Sequence, residues 1–477
     1  VPLDLTAEAR AAETQVLRVM IRLVKKLRGL RFLLPWRTQT AQVPRRSGRS
    51  ARLLLAGYVL YMTVAWILLS LPFAHRTAVG AVDDLFTAVS AVSTTGLMTI
   101  GVSDSYTVFG QIVIALSMQL GGIGYMTVSS FAVLALHHGL GKTRSEGART
   151  AFSLPDTIEP KLFIQSVVLF TLCCETVGAL ALYPMFSAAG VEEPGWSAIF
   201  HAISAFCTAG LSLNADSFEA FRGDFGVNSV LSILCILGAL GFIVVVDVVR
   251  RLTGSQSKAG FASQVIVRVS LALLAVGTLF LFATDPGLAT LQPAERLMAA
   301  FFQTMAATST SGFDTFPASG LSRATMTVLI FLMVVGAAPA STGGGIKVTS
   351  FTALVALVRS VQRARGRVRF FGQEMPVAQL QIATATLTSY LAVLGAGLVL
   401  LFLVQPGADF EPVVFEAVSA LSTVGLSLGL TPELTTHSKL IVIVLMAAGR
   451  VGALTFALAT SFPSREAVED DDNALAL

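Results

Sequence analysis

The chain alternates between long and short apolar segments. Runs at 53–73, 107–137, 162–186, 227–249, 380–404 and 440–460 carry few charges, and each reaches the ~20 residues that a helix needs to cross a bilayer. A further pair lies on either side of residue 300. Its second member is interrupted by Gly336-Ala-Ala-Pro-Ala-Ser-Thr-Gly-Gly-Gly-Ile-Lys347. Between the two members of each pair sits a shorter apolar segment ending in Thr-x-Gly, the first of them after Asp83. A segment that short reads as a half-helix that enters the membrane and returns to the same side. The pattern predicts an all-α polytopic membrane protein with eight spans and four re-entrant half-helices.

The short segments are copies of one another. Ser90-Ala-Val-Ser-Thr-Thr-Gly-Leu97, Ser204-Ala-Phe-Cys-Thr-Ala-Gly-Leu211, Ala306-Ala-Thr-Ser-Thr-Ser-Gly-Phe313 and Ser419-Ala-Leu-Ser-Thr-Val-Gly-Leu426 align on Gly96, Gly210, Gly312 and Gly425. Two residues earlier all have Thr (Thr94, Thr208, Thr310, Thr423), and five earlier all have Ala (Ala91, Ala205, Ala307, Ala420). Ten earlier all have Phe (Phe86, Phe200, Phe302, Phe415). A period of roughly a hundred residues marks repetition of a whole helix–half-helix–filter–helix unit, not of a short solenoid. The chain then divides into a basic N-terminal segment (1–50), pore repeats at 51–161, 162–262, 263–378 and 379–461, and an acidic tail (462–477).

Non-helical backbone at membrane depth is tolerated where it is buried in protein or lines a watery path. Glycine opens backbone angles that turn carbonyls toward an axis. Four such turns around one pseudo-fourfold pore would stack rings of carbonyl oxygen above threonine hydroxyls, which is how a dehydrated monovalent cation is held. The C-termini of the half-helices would add their partial negative charge. The filter candidates are Thr94, Thr95 and Gly96; Thr208, Ala209 and Gly210; Thr310, Ser311 and Gly312; and Thr423, Val424 and Gly425. A single Thr-x-Gly would read as a re-entrant turn or a helix-packing motif; four aligned copies reverse that preference and favour the filter. Phe313, where the other copies have Leu, and Ser311 put strict fourfold symmetry in doubt.

Three glycines and Pro339 cannot sustain a continuous helix, so 336–347 reads as an intramembrane loop lining the path, the alternative being a static kink. Arg450, in Gly449-Arg-Val-Gly452, lies as far beyond its filter glycine as Gly121, Cys235 and Ala337 lie beyond theirs. An arginine at that depth must face a wet cavity or an acid. It reads either as an electrostatic barrier and partner of the Gly-rich loop, or as a salt-bridge partner of Glu175. Glu175 itself is expected to hydrogen-bond or pair inside the bundle, with ion coupling the alternative. Asp247 is expected in a surface ion pair with Arg250 or Arg251.

Composition narrows the class. The chain of 477 residues is 54% hydrophobic and 13% charged, with a mean hydropathy of +0.74, which excludes an ordinary soluble domain. The net charge of +4 would suggest a nucleic-acid surface only if the basic residues formed one face. They cluster instead in the N-terminal segment and after each repeat, including Lys142, Arg144, Arg149 and the series Arg359, Arg363, Arg365, Arg367, Arg369. The positive-inside rule then puts both termini in the cytoplasm of a cell that holds the chain in its plasma membrane, with the filters opening outward. The stretch 16–34 is basic and amphipathic and suits a membrane surface or a partner protein, or else a solvated tail. No signal peptide is expected, because the first fifty residues lack an uninterrupted apolar core. The four cysteines lie in apolar stretches without metal spacing; Cys207, beside Thr208, is a candidate for access from the pore. The five histidines are scattered, which argues against an enzyme. An ion-coupled solute symporter using Glu175 and Asp247 is the rival reading, though it predicts inverted repeats where these share one orientation.

From about 51 to 461 the chain resembles the Trk/Ktr/HKT superfamily of potassium transporters, and most of all the Ktr membrane subunits. The resemblance rests on the four Thr-x-Gly turns, Gly121-Gly-Ile-Gly124, Ser341-Thr-Gly-Gly-Gly-Ile-Lys347 and Gly449-Arg-Val-Gly452. It implies potassium uptake through one pore per chain, a homodimer, and a cytoplasmic nucleotide-binding regulatory (RCK/KTN) ring of the KtrA/TrkA type. It implies potassium at the filter residues, possible regulation by sodium, and no organic cofactor. It also implies a gate formed by Ser341, Thr342, Gly343, Gly344, Gly345 and Lys347 with the pore-lining Arg450. Retention of Gly96, where sodium-carrying relatives have Ser, points to potassium.

Overall fold

The computed structural model describes residues 46–124, 160–252, 254, 259–364 and 367–461. The expectations for 16–34, for 125–137, for the loop with Lys142, Arg144 and Arg149, for Arg365 and for the acidic tail fall outside these residues. The fold is a mostly helical, multi-pass membrane architecture. Four helices are long and apolar enough to cross a bilayer: α1 (Arg46–Leu69), α5 (Pro160–Ala188), α9 (Phe261–Thr284) and α13 (Val377–Val404). Their outer faces stay apolar and uncovered, as at Leu180, Val276 and Val399, which suits contact with lipid.

Each long helix is followed by a short one that packs against it: α2 (Ala81–Ser93), α6 (Pro194–Phe206), α10 (Pro293–Ser309) and α14 (Phe410–Leu421). The short helices are the most buried parts of the molecule. The repeated Phe86, Phe200, Phe302 and Phe415 are all essentially inaccessible, so that column anchors each short helix in the core. Two short helices begin with Pro at the first turn, where its missing N–H would have no partner in any case. A one-turn helix, α3 (Val102–Ser105), precedes α4 (Val108–Ile123).

The second helices depart from the sequence expectation. They are predicted as long single helices at 107–137, 227–249 and 440–460; the latter two are sharply bent, and of the first the described residues hold α4 alone. Helix α4 ends at Gly124, φ 88°. In the second repeat α7 (Phe225–Ala239) gives way to α8 (Phe242–Leu252) with a bend of 92°. In the fourth α15 (Thr436–Val451) turns by 106° into α16 (Ala453–Thr460). The third repeat has α11 (Arg323–Val334) and α12 (Val348–Gln362) separated by a non-helical stretch. Counting each bent pair as one span gives up to six candidate spans among the described residues, against the eight spans expected for the chain. The reason is local: Gly241 and Gly452 take φ of 83° and 91°, angles that right-handed helix excludes. A small hairpin, β1 (Arg369–Phe370) with β2 (Gln373–Glu374), is the sheet structure among the described residues.

Candidate functional site

The four Thr-x-Gly segments sit at the C-termini of α2, α6, α10 and α14, and the structure brings them together. Thr94, Thr208, Thr310 and Thr423 have φ of 51°, 50°, 56° and 50°. A β-branched residue in the left-handed region is a genuine outlier, costing roughly 1–2 kcal/mol each. The threonine occupies the position where helices usually place glycine. Its N–H returns to the alanine column, as in Thr94 to Ala91 (3.1 Å) and Thr423 to Ala420 (3.1 Å), and the next N–H reaches back a further residue, Thr95 to Ser90 (2.9 Å) and Val424 to Ser419 (2.9 Å). Thr208 and Ala209 repeat both bonds, to Ala205 (3.1 Å) and Ser204 (2.8 Å), so three copies make the same helix-ending turn, while in the third the N–H groups of Thr310 and Ser311 both reach Ala306 O. Strain of this kind, held by surrounding packing, is characteristic of functional sites.

The glycines close a ring. A Cβ added to Gly96 would strike the carbonyl oxygen of Ala209; one on Gly210, that of Ser311; one on Gly312, that of Val424; and one on Gly425, that of Thr95. Each turn therefore rests on the next, in the cyclic order of the chain, and the fourth returns to the first. All four glycines have positive φ, 92°, 70°, 69° and 96°, so both φ and crowding demand glycine there. The turns are braced unequally. Ser90 and Ser419 accept from the N–H of Gly96 (3.1 Å) and Gly425 (3.0 Å), Ser204 instead donates to Leu211 O (2.7 Å), and the third copy has Ala306. Thr95 and Ser311 pair with the serines two residues before them, Ser93 (2.6 Å) and Ser309 (3.1 Å), whereas Ala209 and Val424 cannot.

Against the threonine side of this ring lies the stretch between α11 and α12. Its contacts reach all four repeats. Thr342 Oγ1 accepts from Thr208 Oγ1 (3.1 Å), and Gly344 N–H donates to Thr310 Oγ1 (2.9 Å). Gly344 backs onto Thr423, with no space for a Cβ beside Thr423 Oγ1, and that hydroxyl is buried without a hydrogen-bond partner among the described residues. Arg450 donates to Thr94 Oγ1 (2.9 Å), to the carbonyl of Thr342, and to those of Gly121 and Gly122 (3.1 Å to Gly122). The second repeat also holds the loop by backbone: Ala338 N to Ala239 O (3.0 Å), Thr342 N to Gly238 O (3.2 Å) and Phe242 N to Ala340 O (2.8 Å). Within the loop Lys347 Nζ donates to Gly343 O (2.6 Å) and Ser341 Oγ to Ala338 O (2.6 Å). Gly345 takes φ 67° and its Cα side abuts Gly336.

Several expectations are corrected by this geometry. Arg450 is capped by carbonyls and Thr94, while Glu175 accepts from Gln119 Nε2 (2.9 Å), so the salt-bridge reading of Arg450 with Glu175 fails. Cys207 is fully buried and faces Gln119, Glu175 and Gly122, not the ring. Asp247 is buried, accepting from Ser263 Oγ (2.6 Å) and Gly260 N (2.8 Å); it fixes the entry to α9 and is not a surface group. The structural equivalents of Arg450 in the first two repeats also differ from Gly121 and Cys235. A Cβ on Gly121, Gly238 or Gly449 would strike the carbonyl of Val92, Phe206 or Leu421, each four residues before its filter glycine. Three residues after those contact glycines stand Gly124, Gly241 and Gly452, all with positive φ; the second helix bends at the latter two. The equivalents of Arg450 are therefore Gly122 and Ala239. Filter-to-helix connections of different lengths displace a fixed count. The Gly-x-x-Gly spacing, read in place of the count, carries the signal; the third repeat has Gly336-Ala-Ala-Pro339.

On the opposite side of the ring, just past Gly312, Asp314 lies in a loop where its N–H meets Ser217 Oγ (3.2 Å) and its carbonyl accepts from Phe218 N (3.0 Å). Burial, together with the negative charges of Glu219 and Asp216, pushes its carboxyl up to about 7. A carboxyl poised there can attract a cation in one protonation state and not in the other.

Comparison with known proteins agrees with this architecture. Residues 41–470 match the family of cation transport proteins designated TrkH. Ktr system potassium uptake protein B of Bacillus subtilis (strain 168) is 33% identical over 414 residues, covering 85% of this chain and 91% of that protein. The protein of the same description from Vibrio alginolyticus is 32% identical over 425 residues, covering 87% and 92%. The crystal structure of the potassium transporter TrkH from Vibrio parahaemolyticus superposes with a TM-score of 0.69 at 19% identity, covering 90% of this chain and 87% of that one, a likeness of fold. The chain belongs to the TrkH family of cation transport proteins.

Proposed function

We propose that the four Thr-x-Gly turns form a single potassium filter and that the chain is the membrane subunit of a Ktr/Trk-type potassium uptake system. The cyclic contact of Gly96, Gly210, Gly312 and Gly425, each with the carbonyl of the next repeat, carries this reading. A closed ring of carbonyls around an axis can replace the hydration shell of a monovalent cation. The C-termini of α2, α6, α10 and α14 converge on it, which favours a positive charge. The Gly-rich loop of 336–347, tied to Thr208 and Thr310 and held by Arg450, stands across the path as its gate, and the guanidinium adds a positive barrier below the filter. Basic ends at Arg250, Arg251, Arg359 and Arg369 support a cytoplasmic gate side. A regulatory nucleotide-binding ring of the KtrA/TrkA type would dock there on a homodimer with two pores, and sodium would act as regulator.

The test is uptake of potassium against sodium in cells lacking their own potassium transport, with wild type and Gly96→Ser. Potassium-preferring rescue, with the preference reduced by the substitution, supports the reading. Rescue indifferent to Gly96, or no cation flux when the regulatory ring is supplied, would overturn it.

A further inference from the structure

The residue immediately after the repeated phenylalanine is buried and polar in every repeat, although its identity changes each time: Thr87, His201, Gln303 and Glu416. Each reaches past its own filter turn to the segment beyond the glycine. Thr87 meets the hydroxyl of Tyr106, and Gln303 Nε2 donates to the carbonyl of Phe316. His201 Nε2 accepts the N–H of Leu213 (3.1 Å) and lies 3.0 Å from Ser212 Oγ. Its Nδ1 is 2.8 Å from Ser197 O, which puts the single ring proton on Nδ1. Glu416 accepts from Ser427 Oγ (2.8 Å) and from Thr431 Oγ1.

Two of these contacts are the same joint. Ser212 and Ser427 both stand two residues past their filter glycine. Both accept the N–H two residues further on, Asn214 (3.0 Å) and Gly429 (3.1 Å), and both turn the hydroxyl to the buried group on the half-helix. The first and third repeats have Met98 and Asp314 at that position and lack the joint. Because the ring closes in chain order, the second and fourth repeats lie diagonally across it.

We infer that His201 and Glu416 are positioning residues for selectivity: a diagonal pair of struts that fixes the rim of the filter on the side away from the loop. This rests on the filter reading above. On the size-fit account of such filters, a carbonyl ring prefers one cation over a smaller one while it resists closing on the smaller ion. The glycines provide no side chain to resist with. The restraint must come from behind, and these two groups tie the half-helix through a serine to the segment just past the ring in two opposite quadrants. A buried polar residue that merely satisfies a neighbour would affect stability and leave ion preference alone.

The test measures competing potassium and sodium uptake by the full chain with its regulatory ring. Glu416→Leu removes both acceptor oxygens and Ser427→Ala removes the hydroxyl they hold. Each is expected to lower the potassium-to-sodium ratio by about tenfold, the equivalent of one lost buried hydrogen bond. The double variant should be little worse than either single, because both break one link. Glu416→Gln keeps an oxygen acceptor and should recover most of the preference. An unchanged ratio in a folded Ser427→Ala protein overturns the inference, and that variant decides the matter alone should Glu416→Leu fail to fold. A wild type without potassium preference would instead overturn the filter reading, and this inference with it.

Discussion

The second helices of repeats two and four break at a single glycine, whereas that of repeat three breaks over the whole stretch from Val335 to Lys347. In repeats two and four a small residue, Gly238 or Gly449, sits on the last carbonyls of the half-helix. Gly241 and Gly452 then reverse the chain in one step with positive φ. In repeat three Pro339 occupies that place, cannot adopt positive φ, and the chain detours across the ring before α12 begins. One site in the repeat has thus served two purposes, a compact hinge and a loop that touches every other repeat. The hinge is closed by backbone packing, the loop by hydrogen bonds that can be exchanged.

The sharpest way to break this comparison is to fill the hinge contacts. Gly449→Val and Gly238→Val would each drive a side chain into a backbone carbonyl that the half-helix cannot withdraw. Overpacking of that kind is expected to cost about 3 kcal/mol or more. The measurement is yield of monodisperse protein and its thermal transition in detergent, with loss of folded protein as the outcome. A Gly449→Val protein with a wild-type transition would show that the hinge packs loosely and that the contrast with repeat three is false.

A smaller and opposite effect is expected where the loop is held by polar contacts. Arg450→Ala deletes donors to Thr94 Oγ1, Thr342 O, Gly121 O and Gly122 O while leaving the fold's apolar packing in place. Hydrogen bonds from a charged donor contribute roughly 1.5–3 kcal/mol, so release of the loop should raise unregulated potassium flux by about tenfold or more. Reduced flux in a folded Arg450→Ala protein would mean that the guanidinium supports the path and does not close it.

Much of the site was legible in the chain, and the reasons for the gaps are physical. Threonine and glycine repeat because the backbone of the turn demands them, so identical residues recur and are visible. The hinges were hidden because a lone glycine in an apolar helix is ordinarily tolerated, and neither Gly241 nor Gly452 is accompanied by a polar break. Counting from the Thr-x-Gly glycine failed in the first two repeats because their outer connections differ in length from that of the fourth. The buried polar column of Thr87, His201, Gln303 and Glu416 was invisible for another reason: each side chain answers a different partner, so position is shared and identity is not. Asp247 was misplaced because its neighbours Arg250 and Arg251 suggested a surface, whereas its partners Ser263 and Gly260 lie at the start of the next helix.

The third repeat differs on its other face as well, and there the expected effect is the smallest. Where repeats two and four have the serines that grip His201 and Glu416, repeat three has Asp314. Burial, with the charges of Glu219 and Asp216 close by, holds its carboxyl up to about 7, so the folded protein binds this proton more tightly than the unfolded chain does. Protonated Asp314 therefore favours the folded state, and this contribution is lost as pH rises from the ordinary carboxylate range through about 7. Attraction for an arriving cation runs the other way, present above that value and absent below it. Half-saturating potassium should therefore rise by about two- to threefold as pH falls from roughly 8 to 6, with the maximal rate little changed, as expected for a change in local cation concentration at a charged mouth. Asp314→Asn should flatten that profile at the low-affinity end and remove the pH step in stability. A step that persists in the Asn protein would assign it to another group, and repeat three would then differ from its siblings only at the loop.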